Sequence, residues 1–262
     1  MNTGTKSPTG GGTVFGARSA VDAKLLRRRR LINSGMTALV FTCAAVAAVP
    51  LVAIVFYVLK EGGGVIDMDF LTKDIPILTR SIGPGMGPAI VGTLVITGVA
   101  TAMAVPLGIL AAVYLNEYGK KNRLAQVIRT MSDVMTGVPS IVMGLFIYTI
   151  WVLQFGLSGF AGSLALACLM LPVVIRSTEE ILRLVPAGLR EASLALGASR
   201  ARTILTVVLP AAIPGITSGA LLAVARAAGE TAPLLFTIGV IYTANLNPFE
   251  GTNTALSTQI FG

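Results

Sequence analysis

The chain contains no histidine, two cysteines and one tryptophan, and only 12% of its 262 residues are charged. A soluble domain carries about 25% charge. The shortfall excludes an ordinary soluble fold, and 54% hydrophobic residues exclude a disordered chain. The missing histidine excludes His-based acid–base chemistry and the usual zinc sites. Two cysteines, Cys43 and Cys168, cannot build a disulfide framework and read as small apolar residues. No clustered carboxylates offer an enzyme site, so neither a metal nor a cofactor is expected. What the chain has in abundance is apolar sequence, with a mean hydropathy of +0.80. The class left is an all-α, polytopic helical membrane protein.

Four windows, 36–59, 89–115, 134–155 and 157–175, contain no charged residue. A fifth, 212–241, holds only Arg226 and Glu230. About 20 apolar residues cross a bilayer as a helix, so five spans are expected. The windows lack the period-two alternation of barrel strands.

Charge placement orients these spans. Lys6, Arg18, Lys24 and Arg27–Arg30 precede the first; Lys120, Lys121, Arg123 and Arg129 follow the second; Arg176, Arg183, Arg190, Arg200 and Arg202 follow the fourth. The loop after the first span has Lys60, Lys73 and Arg80 beside four acids. The positive-inside rule therefore predicts a cytoplasmic N-terminus and cytoplasmic basic loops. The net charge of +8 is then a topology determinant rather than a nucleic-acid footprint. Residues 1–30 are expected to form a disordered basic cytoplasmic tail, with the transmembrane domain over 31–262 and a cytoplasmic loop at about 183–210. The first span is too long for a cleavable signal and lacks its cleavage site. The polar stretch Thr243–Gly262 reads as an outside loop.

That cytoplasmic loop is the most specific segment. Pro186 and Gly188 break the chain, and Leu189–Leu196 reads as a short helix with Glu191 in its first turn, favourable to the helix dipole. Gly197 is placed to end it in the left-handed conformation. A capped helix at the membrane face suits docking of a soluble partner. On these residues alone, a mere connector between two spans is an equal alternative.

In the last span, Arg226 and Glu230 share a helix face, and a charge in the bilayer centre costs about 2.5–3.5 kcal/mol. Pro233 cannot donate to the carbonyl of Gly229, so a helix break is expected at Gly229 and Pro233, beside both charges. The arginine fork suits an oxyanion, which makes Arg226 and Glu230 substrate-pathway candidates. The alternative is an internal ion pair that only fixes packing. Arg176 is a third candidate, against a snorkelling role at the interface. Gly215, Gly219, Ala223 and Ala227 form a small ridge that predicts close helix packing.

The spacing Glu191-Ala192-Ser193, three residues, Gly197, nine residues, Val207, one residue, Leu209-Pro210 resembles the EAA signature of ABC importer permeases. It departs only in Ser193, where the family has Ala, and Val207, where it has Ile. The resemblance implies a type I importer permease (MetI-like) fold of six spans, the sixth expected beyond Gly262. It also implies that Arg190, Glu191, Ala192, Ser193 and Gly197 couple the chain to an ATPase. No G-x-x-x-x-G-K-[ST] phosphate loop is present, so ATP hydrolysis would come from partner subunits.

The run Arg226-Ala-Ala-Gly229-Glu230-Thr231-Ala232-Pro233 resembles the phosphate-import permeases of the PstA type. So do Leu171-Pro172-Val-Val-Ile-Arg176-Ser-Thr-Glu179-Glu180, Gly137-Val138-Pro139-Ser140 and Glu117-Tyr118. This branch implies a heterodimer with a second homologous permease, two ATP-binding subunits, an extracytoplasmic phosphate-binding protein and surrounding membrane lipids. No nucleic acid is expected. An importer for another oxyanion or small solute, and a passive channel or signalling subunit on the same fold, are the rival readings. Glu117 and Asp133 read as isolated interfacial residues.

Overall fold

The computed structural model describes residues 13–76, 85–119 and 122–260. The expectations for residues 1–12, Arg80, Lys120 and Lys121 lie outside them, as do the side chains of Arg18 and Lys24. The chain divides into two units, Met1–Val65 and Ile66–Gly262. Among the described residues the first is built on one helix, α1 (Thr13–Gly62). Residues 13–30 of the expected disordered tail are therefore helical. The stretch Ala17–Leu31 is rich in Ala, Leu, Lys and Arg, straight-chain or small residues that lose little freedom in a helix.

The second unit is a helical bundle: α2 (Met68–Thr72), α3 (Gly87–Val113), α4 (Arg123–Gly137), α5 (Ser140–Ile147), α6 (Leu153–Phe155), α7 (Gly159–Leu184), α8 (Ala187–Ala195), α9 (Arg200–Thr203), α10 (Leu209–Ala228), α11 (Leu234–Thr237) and α12 (Leu256–Gln259). Three single π-helical turns, Tyr114–Tyr118, Tyr148–Val152 and Ile204–Val208, extend or join them. Among the described residues, four helices are long and apolar enough to cross a membrane, or five if the bent pair Arg123–Gly137 and Ser140–Phe155 counts as one span.

Two expected spans differ from these. The window 134–155 is bent by 108°. Pro139 lacks an N–H and pushes the residue before it out of the helical region, and Val138 sits extended at φ −75°, ψ 128°. The window 212–241 is displaced, for the helix runs Arg200–Ala228. The π turn at Ile204–Val208 carries the chain through Pro210 without a break, so the expected loop to 210 ends instead at Ser199, whose hydroxyl caps α9.

Helix α7 is the axis of the bundle. Ala100, Ala104 and Gly108 of α3 face it at four-residue spacing, and a Cβ at Gly108 would lie 2.6 Å from Val174 Cγ1. On α10, Cβ atoms at Gly215 and Gly219 would meet Ile181 and Ser177 at 2.7 Å. Small residues thus let three helices approach closely, as membrane bundles require. Ile96, Ala100, Leu166, Met170, Ala227, Leu234, Ile238 and Ala255 form one buried core; Ala112, Leu182, Val208, Ala212 and Ile216 form another toward the α8 end.

The polar segment after 242 does not lie loose. Asn253, Thr254 and Thr258 are buried, and the Leu256 N–H donates to Thr93 Oγ1 at 2.9 Å. Irregular backbone is tolerated at membrane depth where protein covers it. Gly92 makes this possible, because a Cβ there would overlap the Thr254 carbonyl oxygen. Gly92→Ala is accordingly expected to cost at least about 2 kcal/mol. Thermal unfolding of the detergent-solubilised chain checks this, and an unshifted midpoint would refute the tight contact.

Candidate functional site

Two polar regions stand at different heights of the bundle. The first surrounds α8. Pro186 opens this helix, and it closes in a Schellman motif: Gly197 N–H donates to Leu194 O at 2.9 Å and Ala198 N–H to Ser193 O at 3.2 Å. Gly197 adopts φ +85°, the left-handed value that a side chain disfavours. Glu191, Ala192 and Gly197 are exposed, Ser193 half-buried. The Ser193 and Thr203 hydroxyls bond at 2.9 Å, joining α8 to α9.

Arg190 points the other way, into the bundle. Its guanidinium donates to the carbonyls of Leu182 (2.8 Å) and Val185 (2.7 Å), and to Glu117 Oε1 from Nη2 (3.0 Å) and Nε (3.2 Å). Its local role is therefore to tether α8 from within. Beneath it, the Glu179 carboxylate, 2% exposed, accepts from Arg129 Nε at 2.9 Å and Arg183 Nη2 at 2.6 Å. Arg129 also donates to Leu115 O at 2.9 Å, so one side chain ties α4, α7 and the end of α3 together. Glu117, Arg129, Arg183 and Arg190 face an open cavity of about 860 Å³, also lined by Tyr118, Leu194 and Arg200.

The second region is where α10 ends. Its last helical residue is Ala228, Gly229 is the cap at φ −91°, and the next helical turn starts after Pro233. Arg226 and Glu230 lie beside Leu169, Met170, Val173, Ala223 and Ala227 around a cavity of about 10 Å³. Residues 169–173 are the middle of α7, so α10 stops halfway along the bundle axis and the charges sit at that height. Arg226 Nε is 3.8 Å from Glu230 Oε1, too long for a hydrogen bond. The Arg226 side chain is 72% exposed and makes no hydrogen bond among the described residues. Its charge at a helix C-terminus is favoured by the dipole. Ser257 Oγ donates to the Glu230 carbonyl at 3.0 Å, which holds the turn from the chain's last segment.

Arg176 stands one turn below Val173 on α7, but its guanidinium pairs with the Asp133 carboxylate of α4 rather than with Glu230. Asp133 and Glu117 are thus not isolated: each holds an arginine from a distant helix. Sequence reasoning missed the Arg129–Glu179–Arg183 cluster and the separate Arg176–Asp133 pair. The signal was present in α7, where Glu179 shares a helical face with Ile175 and Leu182, both buried. A carboxylate on a buried face needs cationic partners.

Residues 104–258 match the family model described as a binding-protein-dependent transport system inner membrane component. The chain is 45% identical over 241 residues to a phosphate transport system permease protein, PstA 1, of Mycobacterium tuberculosis (strain CDC 1551 / Oshkosh), covering 90% of this chain and 79% of that one. It is 40% identical over 210 residues to the phosphate transport system permease protein PstA of Haemophilus influenzae, covering 80% and 74%. A solved structure of the MetNI methionine ABC transporter in inward-facing conformations superposes with a TM-score of 0.46 and 23% identity over 53% of this chain and 65% of that one.

Proposed function

Since the chain belongs to the binding-protein-dependent inner membrane transport components, and among them to the PstA-type phosphate permeases, we propose that it carries phosphate by alternating access, with Arg226 in the pathway and α8 as its coupling element. It is a multi-pass inner-membrane permease subunit of a phosphate ABC importer with a type I (MetI-like) fold. The observation that carries the proposal is the Arg226 guanidinium, without a hydrogen bond among the described residues, where α10 ends at mid-height of α7.

In this proposal phosphate arrives from an extracytoplasmic binding protein and passes between this chain and a second homologous permease. Arg226 offers a planar fork of donors that matches two oxygens of the anion. Glu230, at 3.8 Å, holds the arginine when no anion is present and yields it at little cost, because no hydrogen bond has to break. Arg176 is a second anion contact one turn further along, released from Asp133 as the helices rearrange. ATP hydrolysis is the work of two partner subunits, which grip the exposed Glu191–Ala192 face and the Ser193–Gly197 turn, with Arg190 fixing the helix from behind.

The concentration of Arg123, Arg129, Arg183, Arg190, Arg200 and Arg202 at the α8 end supports a cytoplasmic location for that end. Arg27–Arg30 ahead of the apolar run of α1 support a cytoplasmic N-terminus. The aromatic group Trp151, Phe155, Phe160 and Phe249 suits an interfacial belt at the opposite end.

A cell lacking its own permease subunit tests the reading: expression of this chain with its partners should restore labelled-phosphate uptake. Gly197→Asp should impair it. A Cβ at Gly197 meets nothing within 4 Å, so the bundle has room for it. The left-handed turn costs a non-glycine residue about 1–2 kcal/mol, and the carboxylate enters the partner-facing surface. Several-fold less ATPase subunit should co-purify. Unchanged co-purification together with unchanged coupled ATPase activity would rule out this turn as a contact.

A further inference from the structure

Apolar burial anchors α8 only weakly, for Leu189 and Leu194 remain 45% and 43% exposed. It has nine residues, none of them buried, and a helix that short does not hold itself in water. Its position depends on polar tethers. Two are local, from Arg190 to the carbonyls of Leu182 and Val185, and one is the Ser193–Thr203 bond. The contact in which Arg190 Nε and Nη2 both donate to Glu117 Oε1 is different in kind, because it spans 73 residues and comes from the end of α3.

Glu117 is prepared for that contact. It sits in the π-helical turn Tyr114–Tyr118, which shifts the register of the helix end, and such turns gather at functional positions. Asn116 Nδ2 donates to Glu117 Oε1 at 2.8 Å and orients the carboxylate. The pair is mostly shielded, with side-chain exposures of 15% and 21%, so solvent screens it less than a surface ion pair. From there α3 runs back to Ala104, Ala100 and Ile96, which share a core with Met170 and Ala227. Those last two residues also line the cavity at Arg226 and Glu230. One continuous helix therefore has its end on Arg190 and its middle against the wall of the substrate-pathway candidates.

We propose that Glu117 is a positioning residue for coupling: by holding Arg190 it locks α8 to α3, so that displacement of α8 by the ATPase moves α3 against the Arg226 cavity. This deepens the assignment of α8 as the coupling element and rests on it. The alternative, a contact that only stabilises the fold, predicts less protein but an unchanged yield of phosphate per ATP.

The test uses the unlabelled importer assembled in vesicles and, separately, the detergent-solubilised chain carrying a spin label at position 192 with Cys43 and Cys168 replaced by Ser. Glu117→Ala should leave the complex assembled and hydrolysing ATP, lower phosphate moved per ATP about ten-fold, and make the label more mobile. Glu117→Gln keeps an oxygen that accepts from Arg190 and should recover at least half of the yield. Unchanged phosphate per ATP in Glu117→Ala overturns the proposal, and so does a drop in yield with no change in label mobility. Should Glu117→Ala fail to fold, Arg190→Lys decides: it keeps the charge and loses the fork, and a normal yield per ATP overturns the proposal. The label in the detergent-solubilised chain reports on α8 alone, so a wild-type importer that moves no phosphate refutes the transport reading without touching this contact.

Discussion

Arg226→Ala should lower phosphate uptake at least thirty-fold while leaving the importer assembled. A hydrogen bond to a charged group contributes about 2 kcal/mol, which is about a thirty-fold rate effect if it is made in the transition state for translocation. The side chain is 72% exposed and makes no hydrogen bond among the described residues, so its loss removes little from the fold. Arg226→Lys should recover part of the uptake, because it keeps the charge and loses the two-pronged geometry. Labelled-phosphate uptake, normalised to permease in the membrane, reads the result. Wild-type uptake in Arg226→Ala would remove the residue from the pathway.

The largest stability effect is expected at Glu179. This carboxylate is 2% exposed and holds Arg129 and Arg183 from two helices. Glu179→Ala strands Arg129, which is two-thirds covered. Arg183 is more than half exposed and rehydrates readily. The cost should sit near the low end for a broken buried pair, about 3 kcal/mol. In detergent that is a fall in the unfolding midpoint of more than about 5 °C. A shift below about 1 °C would mean that the network contributes nothing to stability.

How far the sequence reaches is visible in particular elements. The charge-free windows located the cores of α1, α3 and α7, because apolar length alone defines a span. They failed at Val138-Pro139, where composition stays apolar but the backbone turns by 108°. Hydropathy carries no information about that angle; the proline does. They failed again at Ile238–Ala255, whose apolar and polar residues fill the upper core as irregular chain, covered by α3 and α7. Only tertiary cover makes that backbone tolerable, and tertiary cover is not written in a local window.

The site divides in the same way. The Gly197 turn and the neighbourhood of Arg226 and Glu230 were legible, since a residue that breaks a local rule stands out against an apolar background. The resemblance places Arg190 among the residues that couple the chain to an ATPase, and its side chain turns inward to Glu117. Spacing along a helix gives the face a residue occupies, but the choice between solvent and bundle rests on where α3 ends. The Arg176–Asp133 and Arg129–Glu179 pairs join positions 43 and 50 residues apart, and separations of that kind leave no periodic trace.

The most direct test of the central claim is uptake of labelled phosphate by proteoliposomes holding this chain, its second permease and the ATPase subunits, with the phosphate-binding protein outside and nucleotide inside. The account predicts phosphate accumulation that requires ATP, competes with unlabelled phosphate and not with sulfate, and is lost in Arg226→Ala. Phosphate entry that proceeds equally without ATP, or that Arg226→Ala leaves intact, would contradict it.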